Sequence, residues 1–121
     1  MGRIVHFEIP VEDTRKAREF YSEVFGWNFA AFGDDSYLLA TTGPDNKPGI
    51  NGAITKKRAA AQPLTNSIDV ANIDEAMKKV EEKGGFVVVP KTVLPGVGYM
   101  AYFKDLDGNI MGLWQQDTTA K

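Results

Sequence analysis

His6 and Glu8 are the two side chains of this sequence most suited to moving a proton. They stand two apart in Arg3-Ile4-Val5-His6-Phe7-Glu8-Ile9, where Val5, Phe7 and Ile9 alternate with them. That period is the mark of a half-buried strand, so an imidazole and a carboxylate share one face within reach of a common ligand. His6 is the only histidine among 121 residues, and there is no cysteine. Thiolate metal sites, disulfides and cysteine nucleophiles are therefore excluded. Nothing resembles the strand-to-helix elbow of a serine nucleophile.

Other motifs give weaker chemistry. Asp105-Leu106-Asp107-Gly108-Asn109 has the spaced carboxylates of a calcium loop. The sixth position is Ile110 rather than Gly and the twelfth is Gln116 rather than Glu, so a tight Asp-Gly turn is expected instead. Gly96-Val97-Gly98 lacks the third glycine and the helix that phosphate binding needs, and is assigned to a flexible loop. Lys56-Lys57-Arg58 is the sole basic cluster in a chain of formal charge −2. It reads as a solvated linker, and the mixed charges of the chain give none of the strong positive field expected of a nucleic-acid binder. No apolar stretch is long enough to span a membrane, and the N-terminus enters a strand without a signal-peptide pattern. A cytoplasmic protein is expected.

The elements that must position these residues occur in duplicate. In the first half, the strand at 3–9 precedes a helix in which Ala17, Phe20, Tyr21, Val24 and Phe25 form one apolar stripe. Asp13 or Thr14 caps it and Gly26 ends it. Strands at 27–32, 37–41 and 50–55 follow. In the second half, a strand at 64–70 precedes a helix with Ile73, Ala76, Met77 and Val80 on one face, capped by Asn72 with Glu75 and ended by Gly84-Gly85. Strands at 86–89, 99–104 and 110–115 complete it. Each half reads βαβββ, and both apolar helix stripes are assigned to core. The length suits one domain, with a first module at about 1–56, a linker at 57–63, a second module at about 64–116 and a short tail at 117–121.

This order resembles the vicinal oxygen chelate superfamily, the group of glyoxalase I, methylmalonyl-CoA epimerase, extradiol dioxygenases and bleomycin resistance proteins. The likeness rests on Val5-His6-Phe7, Phe20-Tyr21…Phe25-Gly26-Trp27, the helix running to Gly84-Gly85, and the Asp-Leu-Asp-Gly-Asn turn before the last strand. It implies an α+β fold: two tandem βαβββ modules curled into a cupped, partly open mixed β-barrel, each covered by a helix. Metal-using members hold a divalent ion through His and Glu side chains from both modules. His6 falls on the first ligand position. The other three fall on Thr65, Gly112 and the region of Ala53, none of which is an ordinary ligand. A single imidazole does not hold a divalent ion against water, so no metal and no other cofactor is expected.

The expected cup is lined by His6, Asn51, Ala53, Thr65, Ser67, Gly112 and Trp114, with Glu8 and Asp69 on the same face. His6 and Glu8 are the candidate catalytic pair. Ile110, Gly112 and Trp114 face the hollow, while Met111 and Leu113 pack beneath a helix. Tyr37, Tyr99 and Tyr102 stand near, and either parity of 99–104 satisfies the alternation. The leading expectation is a soluble protein that binds a small, partly aromatic or amphipathic molecule without metal. The alternatives are a metal-dependent glyoxalase-like lyase, isomerase or dioxygenase using His6, and a homodimeric interaction module with a vestigial cavity.

Overall fold

The computed structural model describes residues 1–121 as eight strands and two helices, an α+β chain in the expected order. Contacts divide it into two units, Val5–Leu64 and Met1–Ile4 with Thr65–Lys121. The dividing line passes through the first strand, so the first four residues belong with the later half.

In the unit Val5–Leu64, β1 (Ile4–Val11) enters α1 (Thr14–Phe25), followed by β2 (Asn28–Phe32), β3 (Asp34–Thr41) and β4 (Asn51–Lys56). The strands lie in the order β2-β3-β4-β1, with β4 parallel to β1 and the other neighbours antiparallel. Asp13 is the cap of α1: its Oδ1 accepts from the backbone N–H of Arg15 at 3.0 Å and of Lys16 at 3.1 Å. Gly26 ends the helix with φ of 76°, a left-handed conformation that suits glycine.

The stripe on α1 behaves differently from the sequence expectation, because no residue of this helix is buried. Phe20, Val24 and Phe25 remain exposed, Phe25 at 62%. The helix meets its sheet through a run of rings instead. Tyr21 stacks on Trp27 with centroids 4.7 Å apart, and Trp27 lies 5.6 Å from Phe7 of β1. These large rings stand between helix and sheet and leave the outer residues of the stripe unburied. Buried Leu38, Ala40 and Ile54 form the inner layer of the sheet.

The other unit repeats the plan with β5 (Thr65–Asp69), α2 (Ile73–Glu82), β6 (Phe86–Leu94), β7 (Gly98–Lys104) and β8 (Ile110–Gln116), in the order β5-β8-β7-β6. Here β5 is parallel to β8, as β1 is to β4. Asn72 caps α2 by accepting from the Glu75 N–H at 3.1 Å. The stripe on α2 does form core: Ile73 is fully buried with Ala101 and Leu113, against Ile68, Val70, Ala76, Met77, Tyr99 and Phe103. Tyr99, Ala101 and Phe103 thus face the helix, and Met100 and Tyr102 lie on the opposite face.

Several boundaries move, and β3 begins at Asp34 rather than at 37. β6 continues through Pro90 to Leu94, where a stop was expected, because register shifts on either side of Val89 take up the missing N–H on an outer strand of the unit. Gly98 is a buried strand residue rather than part of a flexible loop. The Asp-Gly turn is as expected: Asp105 Oδ1 accepts from the N–H groups of Asp107 and Asn109, both at 2.9 Å, and Gly108 adopts φ of 83°.

Candidate functional site

β1 brings His6 and Glu8 to one face, and the structure adds a third residue that joins them. Tyr37 enters from β3, two strands away, in register with Thr55 of β4. Its hydroxyl donates to Glu8 Oε2 at 2.8 Å and lies 3.0 Å from His6 Nε2. A tyrosine has one hydroxyl proton, and this one is given to Glu8. The His6 contact is therefore a bond donated by Nε2–H, and the hydrogen-bond pattern assigns His6 as the Nε2–H tautomer. The phenol side chain must cross β4 on the face of Ala53, which pairs with both Glu8 and Leu39 and is fully buried. A methyl group there leaves room for the crossing. Phe32 stands edge-on to Tyr37 with centroids 5.9 Å apart.

Burial pushes the His6 imidazole below its ordinary pKa, with the Glu8 carboxylate pulling partly the other way. A folded-state pKa below the unfolded one means that the unfolded chain binds the proton more readily. Stability contributed by neutral His6 is therefore present above pH 6.5 and is lost as pH falls through that value toward the lowered one. Denaturation midpoints followed from pH 7.5 downward are expected to decline in this window and to flatten in His6→Gln. An equal slope in both proteins would contradict the assignment. The carboxylates held low by hydrogen bonds, such as Asp105, titrate below 3.8 and do not confuse the window.

Thr55, opposite Tyr37 on β4, has a buried hydroxyl oxygen with no hydrogen-bond partner. An unsatisfied buried hydroxyl costs stability that an isosteric methyl avoids. Thr55→Val is expected to stabilise the protein by about 1 kcal/mol, and a loss of stability on chemical denaturation would contradict this.

Asn51 pairs with His6 in the β1/β4 register, but its side chain serves the loop before β4. Its Oδ1 accepts from the Thr42 N–H at 2.9 Å, and it lines a depression of about 290 Å³ together with residues from Thr42 to Gly49.

The remaining expected site residues lie together in the other unit. Thr65 and Ser67 on β5 are buried, and Ser67 pairs with Gly112 of β8. A side chain at 112 has no free space, since its Cβ would come within 2.5 Å of Ser67 Oγ. The absence of a side chain at this position is thus filled by Ser67 rather than left as a hollow. Trp114 shares that face and lies over Gly98, where an added Cβ would sit 2.8 Å from the indole. Gly98 is required for this close approach. Asp69 is occupied elsewhere, accepting from the Arg3 backbone N–H at 2.8 Å.

The chemistry of the donor set does not fit the divalent metal that the resemblance implies. His6 Nε2 carries a proton and Glu8 Oε2 accepts one, both at Tyr37. No group of three His, Cys, Asp or Glu side chains converges anywhere in the chain.

The repeated β-α-β-β-β unit with a parallel first and last strand defines a glyoxalase-type fold. Residues 3–43 match the sequence model of the bleomycin resistance protein-like N-terminal family. A candidate glyoxylase of Mycobacterium bovis is 27% identical over 113 residues, covering 89% of this chain and 43% of that protein. The chain therefore spans less than half the length of this relative. A glyoxalase/bleomycin resistance protein/dioxygenase superfamily member from Vibrio splendidus superposes with a TM-score of 0.69 at 16% identity, over 96% of this chain and 100% of that one. An extradiol ring-cleaving dioxygenase from B. fuscum gives 0.72 at 22% identity, over 100% of this chain and 34% of that one. The chain has the fold of the glyoxalase/bleomycin resistance protein/dioxygenase superfamily, and its first third is similar in sequence to the bleomycin resistance protein-like family.

Tyr37 is the residue that sequence reasoning undervalued, naming it only as a nearby aromatic. Its role depends on the β3/β4 register, which the nine residues between those strands, 42–50, conceal.

Proposed function

We propose that this protein binds a small, partly aromatic or amphipathic molecule without the divalent metal used elsewhere in its superfamily. One observation carries the reading: the Tyr37 hydroxyl engages both His6 Nε2 and Glu8 Oε2, so the two donors of a would-be metal site are both spent on Tyr37. Exposed Phe32 beside Tyr37 gives the first unit an aromatic wall, and Trp114 gives one to the second. Apolar contact supplies most of the affinity, and the few polar groups set orientation.

Native mass spectrometry of the protein after incubation with a small-molecule extract tests this. A ligand retained equally with and without EDTA is the expected result. Ligand lost on chelation would sink the metal-free reading.

A second reading, proton-transfer catalysis of the lyase or isomerase kind, is favoured by the same hydrogen-bonded row. His6, Tyr37 and Glu8 can hold a proton at defined atoms. Unchanged turnover in a His6→Ala/Glu8→Ala variant, once a substrate is in hand, removes it.

A further inference from the structure

We propose that Tyr37 is the residue that keeps divalent cations out of the His6/Glu8 pair, its hydroxyl oxygen occupying the point on which the two side chains converge. The inference rests on the metal-independent reading and gives it a cause. Nε2 of His6 lies 3.0 Å from that oxygen and Glu8 Oε2 lies 2.8 Å from it. Metal bonds to imidazole nitrogen and carboxylate oxygen are about 2.0–2.2 Å. Each donor would have to advance by a little under about 1 Å to meet an ion at the vacated point.

Three features make Tyr37 an effective barrier. First, the Nε2 it faces is protonated by the hydrogen-bond assignment, so an ion must drive that proton to Nδ1 before a lone pair is available. Second, its bond to the Glu8 carboxylate is of the charge-assisted kind, stronger than a neutral one, so an ion must break it to enter. Third, the phenol is fixed at both ends. Its backbone lies in the β3/β4 ladder opposite Thr55, and its ring meets Phe32 edge-on. The hydroxyl therefore does not swing aside for a cation as an exposed tyrosine would. The neighbouring β4 position offers no replacement ligand, because the residue in register with Glu8 is Ala53.

Removing the phenol should uncover a two-donor site for a borderline cation. Wild type, Tyr37→Ala, and Tyr37→Ala combined with His6→Ala or with Glu8→Gln are to be titrated with Ni²⁺ and Zn²⁺ by calorimetry, with circular dichroism confirming the fold. Tyr37→Ala is expected to bind one equivalent at least about tenfold more tightly than wild type, as loss of two competing hydrogen bonds implies. Both double variants should lose the gain. A folded Tyr37→Ala that binds no more tightly than wild type overturns the inference and leaves metal-free binding standing. Wild type binding one equivalent through His6 overturns both.

The single histidine gives a second measurement that does not depend on any variant folding. Nitrogen-15 spectra of wild type at neutral pH should show a protonated Nε2 and a bare Nδ1. Protonated Nδ1 with bare Nε2 contradicts the role given to Tyr37.

Discussion

Gly52→Ala is expected to destabilise the protein by about 3 kcal/mol, the upper part of the range for overpacking a filled interior. Gly52 lies on β4 in parallel register with Phe7 of β1. A Cβ there would sit 2.5 Å from Phe7 Cγ and 2.6 Å from Cδ1, and would also strike the Phe7 carbonyl oxygen. The ring could give way only by leaving Trp27, and the carbonyl only by parting β1 from β4. Parting the strands carries His6 and Glu8, the residues flanking Phe7, away from Tyr37. The variant should therefore show a denaturation midpoint lowered by roughly 10 °C together with a changed His6 tautomer signal. A loss below about 1 kcal/mol would mean that the β1/β4 approach is looser than described.

Ile73→Ala should cost about 3–4 kcal/mol, within the usual span for truncating a buried aliphatic side chain. Ile73 is the first residue of α2 and is fully buried between Ala101 and Leu113. Its backbone N–H donates to Gln115 Oε1 at 2.9 Å, which anchors the helix start to β8 and hinders collapse of the cavity that alanine would leave. Phe25→Ala on α1 provides the contrast. Phe25 is 62% exposed and touches Trp27 only through tilted rings 6.2 Å apart, so its loss should cost about 1 kcal/mol or less. Equal losses for the two variants, measured by chemical denaturation, would contradict the unequal burial of the two helices.

That inequality marks the limit of what periodicity can tell. Both stripes have helical spacing, and both helices form with the expected caps at Asp13 and Asn72. Spacing reports which residues share a face. It does not report whether bulky rings, such as Tyr21 and Trp27, hold the rest of that face clear of the sheet. The same distinction runs through the candidate site. The shared face of His6 and Glu8 follows from local alternation, and so does the placement of Leu113 under α2 with Gly112 and Trp114 on the other face. What Tyr37 touches follows from a register set across a long hairpin, and Gly98's role follows from the Trp114 indole lying over it. Pro90 misleads for a related reason, because a bulge on an outer strand admits a proline that a regular ladder would reject.

Two of the three departures from the family's ligand pattern, at Ala53 and Gly112, acquire a physical meaning from their neighbours. Ala53 gives Tyr37 room to reach β1. Ser67 fills the space beside Gly112, so a carboxylate could not be restored there without moving it. Tyr37 then satisfies the His6 and Glu8 side chains that remain. Ala53, Tyr37, His6 and Glu8 thus form one connected set within the unit Val5–Leu64, and Ser67 with Gly112 another within the later unit.

Elemental analysis of the purified protein, joined to thermal shifts in wild type and His6→Ala across a divalent-metal titration, is the decisive test of the proposed metal-free binding. Substoichiometric metal is expected, with melting curves of both proteins that ignore added Zn²⁺, Ni²⁺ and Fe²⁺. One equivalent of bound metal that stabilises wild type and disappears with His6→Ala would contradict it.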